Sequence, residues 1–232
     1  MVQTEQITFY GHPYSPFSHR VHLALEEANA DYTYCTINSH DQPEWYVEKV
    51  NPLRKIPAMT YGGPRVAPSS PSDASVKLRE SLVMLEFLAD LFPHAGLLPT
   101  DAAHSAQARL FMRVADSTLY AASTAYFVAH APAKTLLDAL AALQAALPAH
   151  TRFAAGDAWS IADMAAAPFV AVVVFLLEHD FGTYPAGEGA RTLARVRGER
   201  FARLNRWFED VRAQPSFKAT WDEVCDLLVP SA

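Results

Sequence analysis

Three short segments combine residue types that could do chemistry. In Tyr14-Ser15-Pro16-Phe17-Ser18, proline suits the first position of a helix, where its missing N–H is not needed. Ser15 then takes the N-cap place. There its oxygen either only caps free amides, worth ~1 kcal/mol, or its hydroxyl also faces a ligand. In Asn51-Pro52-Leu53-Arg54-Lys55-Ile56-Pro57, a proline enters a strand without a donor to give the ladder. This is either a plain turn, or a cis Ile56-Pro57 bond that exposes the Ile56 N–H and C=O. Those groups could pair antiparallel with a peptide-like ligand. In Glu80-Ser81, Ser81 reads as an N-cap whose helix amides would face a carboxylate. Glu80 is then either a solvated acid or the partner of an ammonium group on the same ligand.

The elements that must position these segments follow from periodicity. Ile7 and Phe9 alternate with polar neighbours in a short strand. Phe17, Val21, Leu25 and Ala28 share one face of a helix from Pro16. Tyr32 to Ile37 is aromatic and β-branched, a second strand. Pro57 to Tyr61 and Ser75 to Arg79 predict two more, and Ser81 to Phe92 another helix. The order is β-α-β, an irregular stretch, then β-β-α. Gly62 to Ser75, with two glycines, three prolines and four serines, predicts a long exposed loop, either a lid or a surface insertion. Beyond a connector near 93–103 the chain reads as helical and Ala/Leu-rich. Its Ala-rich stretch over 129–149 permits close helix approach.

The whole chain has 232 residues, 50% of them hydrophobic and 19% charged, with a net charge of −6. A sizeable core is expected, and disorder is excluded. No basic face points to nucleic acid or anionic membrane. With only Cys35 and Cys225 present, one disulfide is possible but no disulfide framework is, and no Cys-x-x-Cys pair or Cys/His ligand spacing occurs, so no structural zinc site is expected. The N-terminus opens polar, with no signal-like segment. The apolar run Met164 to Leu177 is too short to span a bilayer and reads as a core helix. A cytoplasmic protein is the expectation.

Gly156-Asp157-Ala158-Trp159-Ser160-Ile161-Ala162-Asp163 contains a Ser-x-x-Asp capping box, with Trp159 and Met164 placed as a hydrophobic staple. This is a structural device, not a catalytic Ser/Asp pair. Trp207-Phe208 and Cys225 read as core, and Cys35 as a small hydrophobe in the second strand.

With that box, the Ser-Pro-Phe turn, the Asn-Pro…Ile-Pro segment and the Glu-Ser pair resemble the glutathione transferases in order and spacing, over nearly the whole chain. Pro43-Glu44-Trp45 looks like the omega class. Omega enzymes carry cysteine where this chain has Ser15, so the pattern resembles the serine-bearing omega-like transferases of wood-decay fungi. A hydroxyl cannot perform thiol–disulfide exchange. The resemblance implies instead that Ser15 stabilises the thiolate of glutathione itself.

The resemblance further implies an α/β thioredoxin-like domain over 1–92, a linker over 93–103, and an all-helical domain over 104–232 forming the co-substrate pocket. Ile56, before Pro57, would bind the cysteinyl backbone of glutathione. Glu80 and Ser81 would bind its γ-glutamyl end. Lys55, or a residue of His40 to Gln42, would meet the glycine carboxylate; the omega class carries lysine where Gln42 stands. Phe17, Tyr14, Tyr120, Thr124, Phe127 and Trp221 would line the co-substrate side, although an aromatic stripe at helical spacing is also what a core looks like. Ser18, Tyr10 and Tyr14 are the rivals of Ser15 for the catalytic hydroxyl. The implied activity is conjugation of glutathione to small electrophilic, aromatic compounds, or reduction of hydroperoxides with it. The alternatives are sequestration of polyphenol-like molecules and glutathione-dependent ether cleavage or lyase chemistry. Glutathione is the co-substrate, no metal is required, and a homodimer is expected.

Overall fold

The computed structural model describes residues 5–228, with side chains through Trp221. The chain divides into two compact units. The first comprises the chain up to Leu97 together with the stretch from Pro215, and the second is Leu98–Gln214.

The first unit is built on a four-stranded sheet of β1 (Ile7–Gly11), β2 (Tyr32–Thr36), β3 (Ala58–Tyr61) and β4 (Val76–Arg79), in the order β2-β1-β3-β4. β1 pairs parallel with β2 and antiparallel with β3, and β3 pairs antiparallel with β4. As a central strand, β1 is buried on both faces, which is why Thr8 and Tyr10 are as hidden as Ile7 and Phe9. α1 (Pro16–Glu27) follows β1 and α3 (Ser81–Leu91) follows β4, each within a residue or two of its sequence expectation. The irregular stretch holds one element that periodicity missed, α2 (Glu44–Lys49). Six residues after a proline are too few to display a helical repeat.

The Gly62–Ser75 segment is less free than the sequence suggests. The Gln6 amide donates to the Val66 carbonyl at 3.0 Å and accepts from the Val66 N–H at 2.8 Å. The Tyr10 hydroxyl donates to the Pro68 carbonyl at 2.9 Å, and Lys77 Nζ donates to the carbonyls of Ser72 and Ser75. Arg65, Ser69 and Ser70 are exposed, but Val66 and Pro68 between them are tied to Gln6 and to Tyr10 of β1.

The second unit is helical: α4 (Ala102–Phe127), α5 (Ala133–Ala146), α6 (Ile161–Glu178), α7 (Glu188–Val196) and α8 (Ala202–Arg212). α5 buries Ala133, Leu136, Ala139, Leu140 and Leu143, the small residues allowing the close approach to α4 that its composition predicts. α6 is long and apolar enough to cross a membrane, yet 78% of it is buried inside the protein, which is how a core helix is placed.

The Ser160/Asp163 box is structural. Asp163 Oδ2 accepts from the Ser160 N–H at 3.2 Å and the Ser160 hydroxyl at 3.1 Å. Oδ1 accepts from the Ala154 N–H and from Trp207 Nε1, both at 2.8 Å. Trp207 is fully buried and Phe208 nearly so, as expected of core residues.

The final helix, α9 (Pro215–Leu228), falls in the stretch 104–232 expected to form the helical unit, but groups with the first unit. It packs on α1 in the first unit. The fully buried His19 ring lies 2.7 Å from Thr220 Oγ1. Thr220 spends its one hydroxyl proton on the Ser216 carbonyl, so His19 Nε2 is the donor. Burial, reinforced by His22, lowers the His19 pKa to about 3, keeping the ring neutral. Trp221 stacks on the His19 ring and Phe217 lies tilted beside it.

Candidate active site

The β1–α1 turn is organised around two serines with different jobs. Ser15 is the N-cap of α1, in extended backbone, and its oxygen accepts from the Ser18 N–H at 3.2 Å. Its backbone is pinned on both sides, N–H to the His12 carbonyl at 3.0 Å and C=O from the His19 N–H at 2.9 Å. Among the described residues, nothing accepts the Ser15 hydroxyl proton. Capping therefore uses the oxygen and leaves the proton for a ligand, so the two readings of Ser15 are compatible.

Ser18 is 1% exposed and its oxygen accepts from the His12 N–H at 3.2 Å. It fastens the turn from beneath rather than facing a ligand. Tyr10 is fully buried, with its hydroxyl on the Pro68 carbonyl and burial raising its pKa. Tyr14 is 40% exposed, its ring 4.9 Å from that of His12.

The Ile56-Pro57 peptide is cis, and Pro57 is buried at the entrance to β3. The segment before it is braced on one carbonyl after another. Gln42 Nε2 donates to the Arg54 carbonyl at 3.0 Å. The Lys55 carbonyl accepts from the Tyr46 hydroxyl at 2.6 Å and from Asn51 Nδ2 at 2.7 Å. Gln42 thus places one of its two amide N–H donors on the backbone. Lys55 is exposed, and among the described residues its ammonium holds no partner. The same is true of the Ile56 N–H.

At α3 the sequence is off by one position. Glu80, not Ser81, is the N-cap residue, with φ 68° and no side-chain cap. A non-glycine residue in that region costs of order 1–3 kcal/mol and is typical of sites where geometry is imposed for function. Ser81 is the first helical residue, buried, and its oxygen accepts from Arg20 Nη1 at 3.2 Å. A guanidinium can only donate, so the Ser81 proton is directed away from Arg20. Arg20 is itself fully buried and lies 5.4 Å from the Phe17 ring centroid. The Glu80 carboxylate is exposed, without an ion-pair partner among the described residues.

The expected co-substrate residues are scattered in character. Tyr120 is 52% exposed and Thr124 is exposed on α4. Phe127 does not share their surface: it is 6% exposed, packed against the rings of Tyr126 and Tyr184. It ends α4, where the chain turns and the Thr183 N–H bonds its carbonyl. Trp221 stacks on His19 and Phe217 within the first unit. Cys35 is half-buried beside Tyr10 and Tyr46, and burial pushes its thiol up, away from reactivity. The Cys225 side chain lies outside those described. No group of three or more His, Cys, Asp or Glu side chains able to hold a metal occurs among the described residues.

Comparison with known proteins gives consistent findings. The family model for the glutathione S-transferase N-terminal domain matches residues 9–96, and that for the C-terminal domain matches residues 128–210. The crystal structure of glutathione transferase Omega 1C from Trametes versicolor superposes with a TM-score of 0.90 at 44% identity, covering 96% of this chain and 94% of that one. Omega 2S from the same organism, crystallised with 2,4-dihydroxybenzophenone, gives 0.90 at 46% identity, covering 97% of each chain. Among curated relatives, the pyrimidodiazepine synthase of Drosophila melanogaster is 34% identical over 109 residues, which spans 46% of this chain and only 40% of that protein.

Proposed function

Because the chain belongs to the glutathione transferase family, we propose that it conjugates glutathione to small electrophilic, aromatic compounds, with Ser15 stabilising the bound thiolate. One observation supports this reading above the others. In the first unit the Ser15 hydroxyl proton, the Ile56 N–H, the Lys55 ammonium and the Glu80 carboxylate have no partner among the described residues, while the polar groups that brace them are engaged. These are one donor for a thiolate, one for a peptide carbonyl, one cation and one anion. Glutathione presents the complement of each.

The roles follow from chemistry. Ile56 pairs with the cysteinyl backbone and Lys55 meets the glycine carboxylate. Glu80 holds the ammonium of the γ-glutamyl end, while Ser81 and the uncapped first turn of α3 hold its carboxylate. The thiol releases its proton to water. The Ser15 hydroxyl and the α1 dipole favour the anion left behind. The sulfur lone pair then forms the C–S bond as the leaving group departs with its electrons. The nucleophile is the substrate's, and the protein supplies ionisation and position.

Within the first unit, Tyr14 and Trp221 are the residues we assign to the co-substrate. A second reading, sequestration of aromatic molecules with little turnover, is favoured by the benzophenone bound to a relative 46% identical. We assign the chain to the cytoplasm as a homodimer. Steady-state conjugation of an activated aromatic halide, alongside calorimetric titration with glutathione, tests the main reading. Glutathione binding without turnover on any electrophile would favour sequestration, and no glutathione binding would refute both.

A further inference from the structure

The Ile56 N–H is aimed by a side chain that lies behind it. Tyr46, the third residue of α2, is fully buried, yet it keeps a hydroxyl where phenylalanine would fill the same space. That hydroxyl donates to the Lys55 carbonyl at 2.6 Å, and Asn51 Nδ2 donates to the same oxygen at 2.7 Å. A carbonyl oxygen has two lone pairs, and here both are occupied. The Lys55 C=O and the Ile56 N–H belong to one rigid planar peptide unit and point in opposite directions. Fixing the oxygen inward fixes the N–H outward. Tyr46 cannot drift, because its ring packs 5.8 Å from Tyr10 and 6.1 Å from Trp45. Tyr10 is in turn tied through its hydroxyl to Pro68.

We propose that Tyr46 is a positioning residue for glutathione: by holding the Lys55 carbonyl it presents the Ile56 N–H to the cysteinyl carbonyl of the ligand. The inference rests on the assignment of Ile56 above and goes beyond it, because Tyr46 touches no ligand itself. It acts on glutathione binding and not on thiolate formation, which belongs to Ser15.

The test is Tyr46→Phe, which keeps the ring and deletes one oxygen. Calorimetry should show glutathione affinity weakened about fivefold, the order expected for one hydrogen bond. The KM for glutathione should rise in step, with kcat at saturating glutathione and the KM for the electrophile unchanged. Leu143→Ala, a cavity in the core of the second unit, is the control for instability alone. It should lower the melting temperature and leave glutathione affinity intact. In the unmodified protein, hydrogen exchange of the Ile56 amide should slow when glutathione is added, a readout that needs no variant. Unchanged affinity in Tyr46→Phe, with Ser81→Ala still weakening binding, would overturn the role of Tyr46 and leave the glutathione site standing. If Ser81→Ala also has no effect and the Ile56 amide is indifferent to glutathione, the site assignment itself falls.

Discussion

Replacing Ser15 with alanine removes two interactions that can be measured apart. The first is the cap, a single bond from the Ser18 N–H at 3.2 Å, whose loss should cost ~1 kcal/mol of stability. The second is the hydroxyl proton that no described residue accepts. A hydrogen bond to a charged group contributes about 1.5–3 kcal/mol. At 1.36 kcal/mol per pKa unit, its loss should raise the pKa of bound glutathione by roughly one to two units. The assay is the ultraviolet absorbance of the thiolate, followed as glutathione-saturated protein is titrated with base, alongside conjugation rate against pH. The variant should be slower by about ten- to a hundredfold at pH values below both thiol pKa values, and converge on the parent at high pH. Ser15→Cys should gain what the parent lacks. A cysteine at a helix N-terminus has a lowered pKa and should form a mixed disulfide with oxidised glutathione, visible by mass spectrometry. A Ser15→Ala variant that loses stability but leaves the thiol pKa in place would show that Ser15 is only a cap. Tyr14, the half-exposed rival, would then be tested in its place.

Glu80→Ala and Ser81→Ala should each weaken glutathione by about tenfold, since each leaves a charged end of the ligand unpaired; titration calorimetry reads this directly. Asp163, fully buried, has its pKa raised to about 6, first by burial. Its folded state holds the proton more tightly than the unfolded chain does, at about 3.9. The stability this group contributes is therefore complete below about pH 4 and lost as pH rises through 6. Urea midpoints should show that slope in the parent, and Asp163→Asn should flatten it, at a cost of about 3 kcal/mol for mispaired donors. For assembly, light scattering should report twice the 25.5 kDa chain mass at micromolar concentration, and a monomer throughout would remove the homodimer. Val76 and Val83, about half exposed on β4 and α3, make Val83→Glu the variant to try for dissociation.

Local devices were legible in the sequence because their partners are a few residues apart. The capping box at Ser160, the Ser15 cap and the Ile56-Pro57 turn are all of this kind. The Glu80 misplacement by one position is the limit of the same logic. Serine is the better cap by type, but Arg20, sixty-one positions away, claims its oxygen. For Gln42, only the fold shows one amide N–H bonded to the Arg54 carbonyl, twelve positions away. Tyr46 gave no signal at all, because an aromatic in a six-residue helix predicts packing and nothing about its hydroxyl. The 62–75 segment looked free because Gly, Pro and Ser mark loops by type. Its anchors, Gln6 and Tyr10, sit in or beside a different strand. The burial of Phe127 was hidden for a related reason: helical spacing groups it with Tyr120 and Thr124, but the chain folds back over the end of α4.

The return of α9 to the first unit has a consequence for how the chain is made. The first unit is not a contiguous stretch of polypeptide. Its last piece is synthesised only after the whole of Leu98–Gln214. Until Thr220, Phe217 and Trp221 arrive, the α1 face that carries His19 lacks the neighbours that bury it. The turn that holds Ser15 begins that same helix, with the Ser15 carbonyl bonded to the His19 amide. A ribosome-bound nascent chain would therefore complete its sheet early and the packing of α1 late. The loop closed at that step, the whole of Leu98–Gln214, is long, which costs little in stability but slows the search.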